Sequence, residues 1–154
     1  MDRPGEDAGL YDPRTGGEAL RFTALCWEGA AFEPVRTNYF AVYRFASGTG
    51  TVAVDDGCHR FGPGSLLFVT PYQYLRFALD TRATGEVVEF HANFLCVETF
   101  HAESGCAGRL FNDPCGTPVL PLAGRAGTEV ADLFARVGRE CAERGLTARR
   151  RWRT

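Results

Sequence analysis

The sequence predicts a mainly β fold, closed as a barrel or a tight sandwich and followed by helix. Three observations carry that reading. Short apolar runs between Phe40 and Leu79 are punctuated by Gly, Pro and Asp turn signals. One of them, Ser65 to Thr70, is almost continuously apolar between Gly62-Pro63-Gly64 and Pro71, as suits a strand buried on both faces. From Thr128 the apolar period becomes helical.

With 154 residues the chain has room for one core and not for two ordinary domains. Hydrophobic residues make up 45% of it and aromatics 12%, a composition that folds rather than stays disordered. No run approaches the roughly 20 apolar residues of a membrane span. The first residues are acidic and Gly-rich without an apolar stretch of the secretory kind, so the cytoplasm is the expected location and no membrane partner is expected. A net charge of −2 argues against a surface built as a whole for nucleic acid. All 17 basic residues are Arg, and Arg149, Arg150, Arg151 and Arg153 crowd the end, in a segment too short for a DNA-binding module. The 6 cysteines are irregularly spaced and lack an export signal, which favours reduced thiols over a disulfide framework.

In chain order, residues 1–18 are expected to be a flexible leader, rich in Gly, Pro and acidic groups. Ala19 to Trp27 suits a first strand, and Glu28 to Thr37 turns through Pro34. Tyr43 and Phe45 then alternate with Val42, Arg44 and Ala46 up to the Ser47-Gly48-Thr49-Gly50 break. Thr51 to Val54 is a β-branched run ending in Asp55-Asp56-Gly57, a hairpin signal in which Gly57 supplies a positive φ. After the Ser65 to Thr70 strand, another continues through Phe77 to Leu79. Asp80 to Gly85 reads as a turn and Glu86 to Phe94 as a strand. Cys96, Thr99 and Phe100 share a helical face, and Val119 to Leu122 reads as a short closing strand. Thr128 is the expected N-cap of the last helix, with Glu129 and Asp132 in its first turn and Gly145 as C-cap. Val130, Leu133, Phe134, Val137 and Cys141 form its apolar stripe. The expected divisions are therefore leader 1–18, barrel 19–122, amphipathic helix 123–147 and basic tail 148–154.

The segments SGTGTVAVDDG, GPGSLLFVTPYQYLRF and FHANFLCVETFHAESGCAGRLFN resemble the cupin-type sensor domain of AraC-type transcription regulators. The resemblance runs from Phe40 to Gly145, and the third segment is its most specific part. It implies a cupin-like (double-stranded β-helix) barrel followed by C-terminal helices. It also implies an effector-sensing and dimerising role, with the stripe Val130, Leu133, Phe134, Val137 and Cys141 as dimer interface. The competing expectation is that this stripe packs on its own barrel. Regulators of this type continue into helix-turn-helix motifs, which these residues do not contain, so no specific DNA binding is expected of the chain itself.

Cupin enzymes hold a metal through histidines and a carboxylate. The resemblance sets apolar Leu75 where the second motif's His would fall, and His59 stands alone where the first would need a pair. Neither a barrel metal nor an enzyme is therefore expected. His91, Cys96, His101 and Cys106 do offer the donor set of tetrahedral Zn²⁺, but at five-residue spacing running from strand into helix, which turns ligands apart. The expected cofactor is none, with zinc at that cluster as the alternative. A sensor needs a cavity, and Tyr43, Phe45, Tyr72, Tyr74 and Phe77 are candidates to wall one, with Arg44, Gln73 and Arg76 as polar anchors. Arg in the wall would favour a carboxylate ligand. The alternative is that the aromatics fill a closed core while the arginines face solvent. The leading reading is a sensor that pairs with a second copy and takes an unidentified small-molecule effector. Beside it stand a small metal-binding cupin-type enzyme and a stand-alone protein that dimerises with full-length regulators.

Overall fold

The computed structural model describes residues 20–91, 118–143 and 147–153, the last stretch as backbone. The expected leader and the Cys96–Phe100 helical face lie outside the described residues. Ten strands form two sheets: β1 (Leu20–Glu28), β2 (Ala31–Phe32), β3 (Phe40–Ser47), β4 (Gly50–Val54), β5 (Gly57–Phe61), β6 (Leu66–Val69), β7 (Leu75–Leu79), β8 (Ala83–Phe90), β9 (Val119–Leu120) and β10 (Thr147–Arg153). One sheet has the order β10-β1-β8-β3-β6-β9 and the other β2-β7-β4-β5.

The pairing is nested. β1 pairs with β8, β2 with β7, β3 with β6 and β4 with β5, all antiparallel. The chain is thus one long hairpin with its tip at Asp55-Asp56, rolled up so that alternate arms fall in opposite sheets. That is the jelly roll, or double-stranded β-helix, in which cupins are built. β9 caps the open side of β6, and β10 lies parallel to β1 from Phe22↔Thr147 to Glu28↔Arg153.

Alternation along the strands fixes what is buried. Leu25 and Trp27, Tyr43 and Phe45, Val52 and Val54, and Phe77 point between the sheets, and Trp27, Phe45, Val52 and Phe77 have no exposed surface. The aromatic centre is tightly stacked, with ring centroids 4.0 Å apart for Phe45–Phe61, 4.8 Å for Phe32–Phe77 and 5.5 Å for Trp27–Phe45. Each such side chain contributes about 1.5–3 kcal/mol on burial, and each good ring pair about 0.5–1.5 kcal/mol more. The opposite phase of the larger sheet is also covered: Phe22, Phe40, Leu66 and Phe90 are buried outside the central cluster, Phe40 stacked on Phe90 at 5.5 Å.

Helix α1 (Gly124–Glu143, 20 residues) covers part of that second face. Its start corrects the expected cap. Gly124, at φ 61°, turns the chain into the helix, and the Thr128 hydroxyl donates to the Gly124 carbonyl at 3.2 Å from inside the helix. Glu129 and Asp132 consequently lie beyond the first turn, and Glu129 meets Arg125 at 3.3 Å on the open face. The Gly145 cap lies outside the described residues.

Other strand boundaries also differ. β8 begins at Ala83, within the stretch read as a turn, and Thr147–Arg153, read as a basic tail, forms a sheet-edge strand instead. At the Asp55-Asp56 hairpin the positive φ belongs to Asp55, at 51°, while Gly57 already pairs with Val54 in the ladder. Aspartate tolerates that left-handed conformation better than most residues.

Candidate ligand cleft at the barrel mouth

At one end of the barrel the apolar packing gives way to polar groups. The β2–β3 segment and the β6–β7 segment meet there: Tyr72 N–H donates to the Thr37 carbonyl at 2.8 Å, and the Arg36 guanidinium lies 5.1 Å from the Tyr74 ring centre. The second segment is held by its own side chains. The Gln73 carbonyl accepts from Thr70 N–H at 2.9 Å, and its amide donates to Asp55 at 3.2 Å. Asp55 also accepts from Tyr74 N–H at 3.0 Å, which ties the hairpin tip to the mouth. Tyr72 sits at φ 66°, a costly conformation for an aromatic residue, and is 60% exposed.

Between these segments and the inner ends of β3 and β8 lies a cleft of about 30 Å³, space for a water or two. Arg36, Thr37, Tyr39, Tyr43, Thr70, Tyr72, Gln73 and Glu89 line it with apolar Pro34, Val35, Ala41, Val69 and Leu75. Glu89 is bonded at 3.2 Å by Arg21, whose guanidinium lies 4.4 Å from the Tyr39 ring centre. Both charged side chains are largely buried, with 11% of Arg21 and 19% of Glu89 exposed. Register explains the pair: Arg21 and Glu89 are direct partners of β1 and β8, in phase with inward-facing Leu25, Trp27 and Val87.

Of the eight expected pocket residues, Tyr43, Tyr72 and Gln73 line this cleft. Phe45 and Phe77 are core, and Tyr74 stands outside the wall, its phenol near the Glu33 carboxylate. Arg44 points out of the barrel, joined to Glu86 by two bonds of 2.8 and 2.9 Å, with its guanidinium 5.9 Å from the Phe134 ring centre on α1. Arg76 is exposed on the outer face of β7. Neither arginine can anchor a ligand inside the barrel. Arg21, Tyr39, Thr70 and Glu89 were not among the expected residues. The available signal was a charged residue in the inward phase of each of two strands.

His91, half-buried, meets Tyr39 edge-on with centroids 6.4 Å apart, while Cys96, His101 and Cys106 lie outside the described residues. Among the described residues no three His, Cys, Asp or Glu side chains are grouped to hold a metal. Cys58 is exposed, Cys26 accepts from Arg82 at 3.3 Å, and Cys141 is buried. On the helical stripe, Cys141 is 1% exposed and Val130, Phe134 and Val137 are half-buried, whereas Leu133 is 54% exposed. Most of the stripe therefore packs on the chain's own sheet, and Leu133 stands on the open side. No described helix is long and apolar enough to cross a membrane.

No family model matches the chain, and no curated protein matches it by sequence. Among solved structures it is similar to a Cupin 2 conserved barrel domain protein from Salinispora arenicola, at 10% identity and a TM-score of 0.43 over 49% of this chain and 66% of that one. It is similar to a putative ethanolamine utilization protein Q from Salmonella typhimurium, at 19% identity and a TM-score of 0.43 over 52% of this chain and 64% of that one. An apo ToxT variant from Vibrio cholerae is similar at 10% identity and a TM-score of 0.49, over 78% of this chain and 48% of that one. The chain thus spans less than two thirds of each of these structures. The jelly-roll assignment rests on the strand order itself.

Proposed function

We propose that this chain is an effector-sensing and dimerising module of the AraC type, which takes a small molecule at the barrel mouth. The observation that carries the reading is the cleft: a largely buried Arg21–Glu89 pair and three tyrosines at an end of the core where polar groups converge. The resemblance of the Ser47–Gly57 and Gly62–Phe77 segments to such sensors supports the regulatory part, and no catalytic role is assigned to any residue. The cleft is small as it stands, so a ligand enters by parting the β2–β3 and β6–β7 segments. The left-handed backbone of Tyr72 is strained where the two segments meet, and parting them breaks its bond to Thr37.

The test is the native mass of the purified protein, with elemental analysis of the same sample and a small-molecule screen read by thermal melting. The expected result is a metal-free dimer whose melt rises with an effector; at a hundredfold excess over Kd, binding adds about 2.7 kcal/mol. A monomer carrying one equivalent of zinc would overturn the reading and make the His91 and Cys96 region the centre of a metal protein.

A further inference from the structure

Among the described residues that line the cleft, Glu89 is the one carboxylate. Arg21 lies behind Glu89 rather than in the wall, so the charge of Glu89 is compensated from the side away from the ligand. Arg21 bonds its Oε2 atom, and Oε1 has no partner among the described residues. Thr70 is in the same position. Its backbone N–H and carbonyl are both engaged with Gln73, while its hydroxyl has no partner among the described residues. The wall therefore presents an open carboxylate oxygen and an open hydroxyl beside the rings of Tyr39, Tyr43 and Tyr72.

Resting on the sensing reading above, we propose that the cleft selects a small uncharged molecule with an N–H or O–H donor on a flat body. The donor goes to Glu89 Oε1 and the Thr70 hydroxyl, and the body lies against the tyrosines. An anion has no hydrogen to give Glu89 Oε1 and would set its own oxygens against that acceptor. A cation would lose its water to share a carboxylate already neutralised by Arg21. A neutral donor avoids both costs and still gains a bond to an ionised acceptor, the stronger kind. Arg36 also lines the cleft, but its side chain is exposed and lies over the Tyr74 ring, where water screens its charge, so it does not reverse this preference.

Benzamide, benzoate and benzamidinium share one shape and differ in charge, so the full chain is titrated with each. Binding is followed by the backbone amide resonances of Thr70 and Glu89 and by isothermal calorimetry. Benzamide is expected to shift those resonances and to bind about tenfold more tightly than either ion. Thr70→Val, which keeps shape and charge, should weaken benzamide about fivefold with an unchanged melt. Glu89→Gln removes the ionised acceptor and should weaken benzamide and erase its advantage over benzoate. Benzoate or benzamidinium binding the unsubstituted chain as tightly as benzamide overturns the ligand class and leaves the sensing reading standing. If none of the three moves the cleft resonances, the ligand class and the cleft as the sensing site both fall.

Discussion

Tyr74 shows how a single exposed contact fixes a titration. The Glu33 carboxylate beside its phenol favours the protonated form and raises its pKa above the ordinary 10.0, with a smaller contribution from desolvation. Arg76 and Arg36 pull the other way. The protonated phenol is thus favoured in the folded chain. Its contribution is intact below the unfolded value near 10 and is lost as pH rises through the folded value. Replacing Glu33 with Gln should bring the Tyr74 midpoint back towards 10, as followed by NMR of ring-labelled tyrosine. An unchanged midpoint would mean that Glu33 does not hold the phenol in solution. The same contact joins the end of β2 to the start of β7, so the variant also loosens the rim of the cleft.

At the scale of elements, α1 sits closely on β1. A Cβ at Gly138 would lie 3.0 Å from two ring carbons of Phe22, which is itself buried on the sheet. Gly138→Val therefore has to push the helix outward or turn the ring, at an expected cost of about 1–3 kcal/mol, measured by urea unfolding. A variant as stable as the parent would show that the helix does not sit this closely on Phe22. The amphipathic stripe of α1 was legible because helical periodicity is local, but Gly138 was not, since its role depends on a ring far away in the chain. The helix start was missed for a related reason: Gly124-Arg125-Ala126-Gly127 forms helix poorly by propensity, and a hydroxyl at Thr128 imitates a cap. Hairpins around Asp55-Asp56 and Gly62-Pro63-Gly64 were legible from their turn residues. β10 was not, because Thr147–Arg153 has no apolar alternation and is placed by its pairing with β1. The same distinction governs the site. Tyr43, Tyr72 and Gln73 lie in one recognisable stretch, whereas Arg21 and Glu89 are 68 residues apart and meet only through the register of β1 and β8.

At the scale of the whole molecule, both faces of the larger sheet are occupied, one by the aromatic core and the other in part by α1. A two-fold pairing through α1 must then use the side of the helix away from the sheet, where Leu133 is 54% exposed. In such an isologous contact Leu133 faces the corresponding stretch of the second copy, near the axis. Leu133→Glu places a like charge on both sides of that axis and removes apolar area from it. The native mass, measured by light scattering, should then fall from dimer to monomer. Because Leu133 is more than half exposed and lies outside the central core cluster, the stability of the monomer should change by less than about 0.5 kcal/mol. A dimer that persists with Leu133→Glu places the pairing surface elsewhere and reduces α1 to a cover for the sheet. A monomer that also binds its effector more weakly would instead tie the barrel mouth to the helix. The one route described between them runs from β3 and β8, whose inner ends line the cleft, through the Arg44–Glu86 pair on their outer face to Phe134, one residue from Leu133.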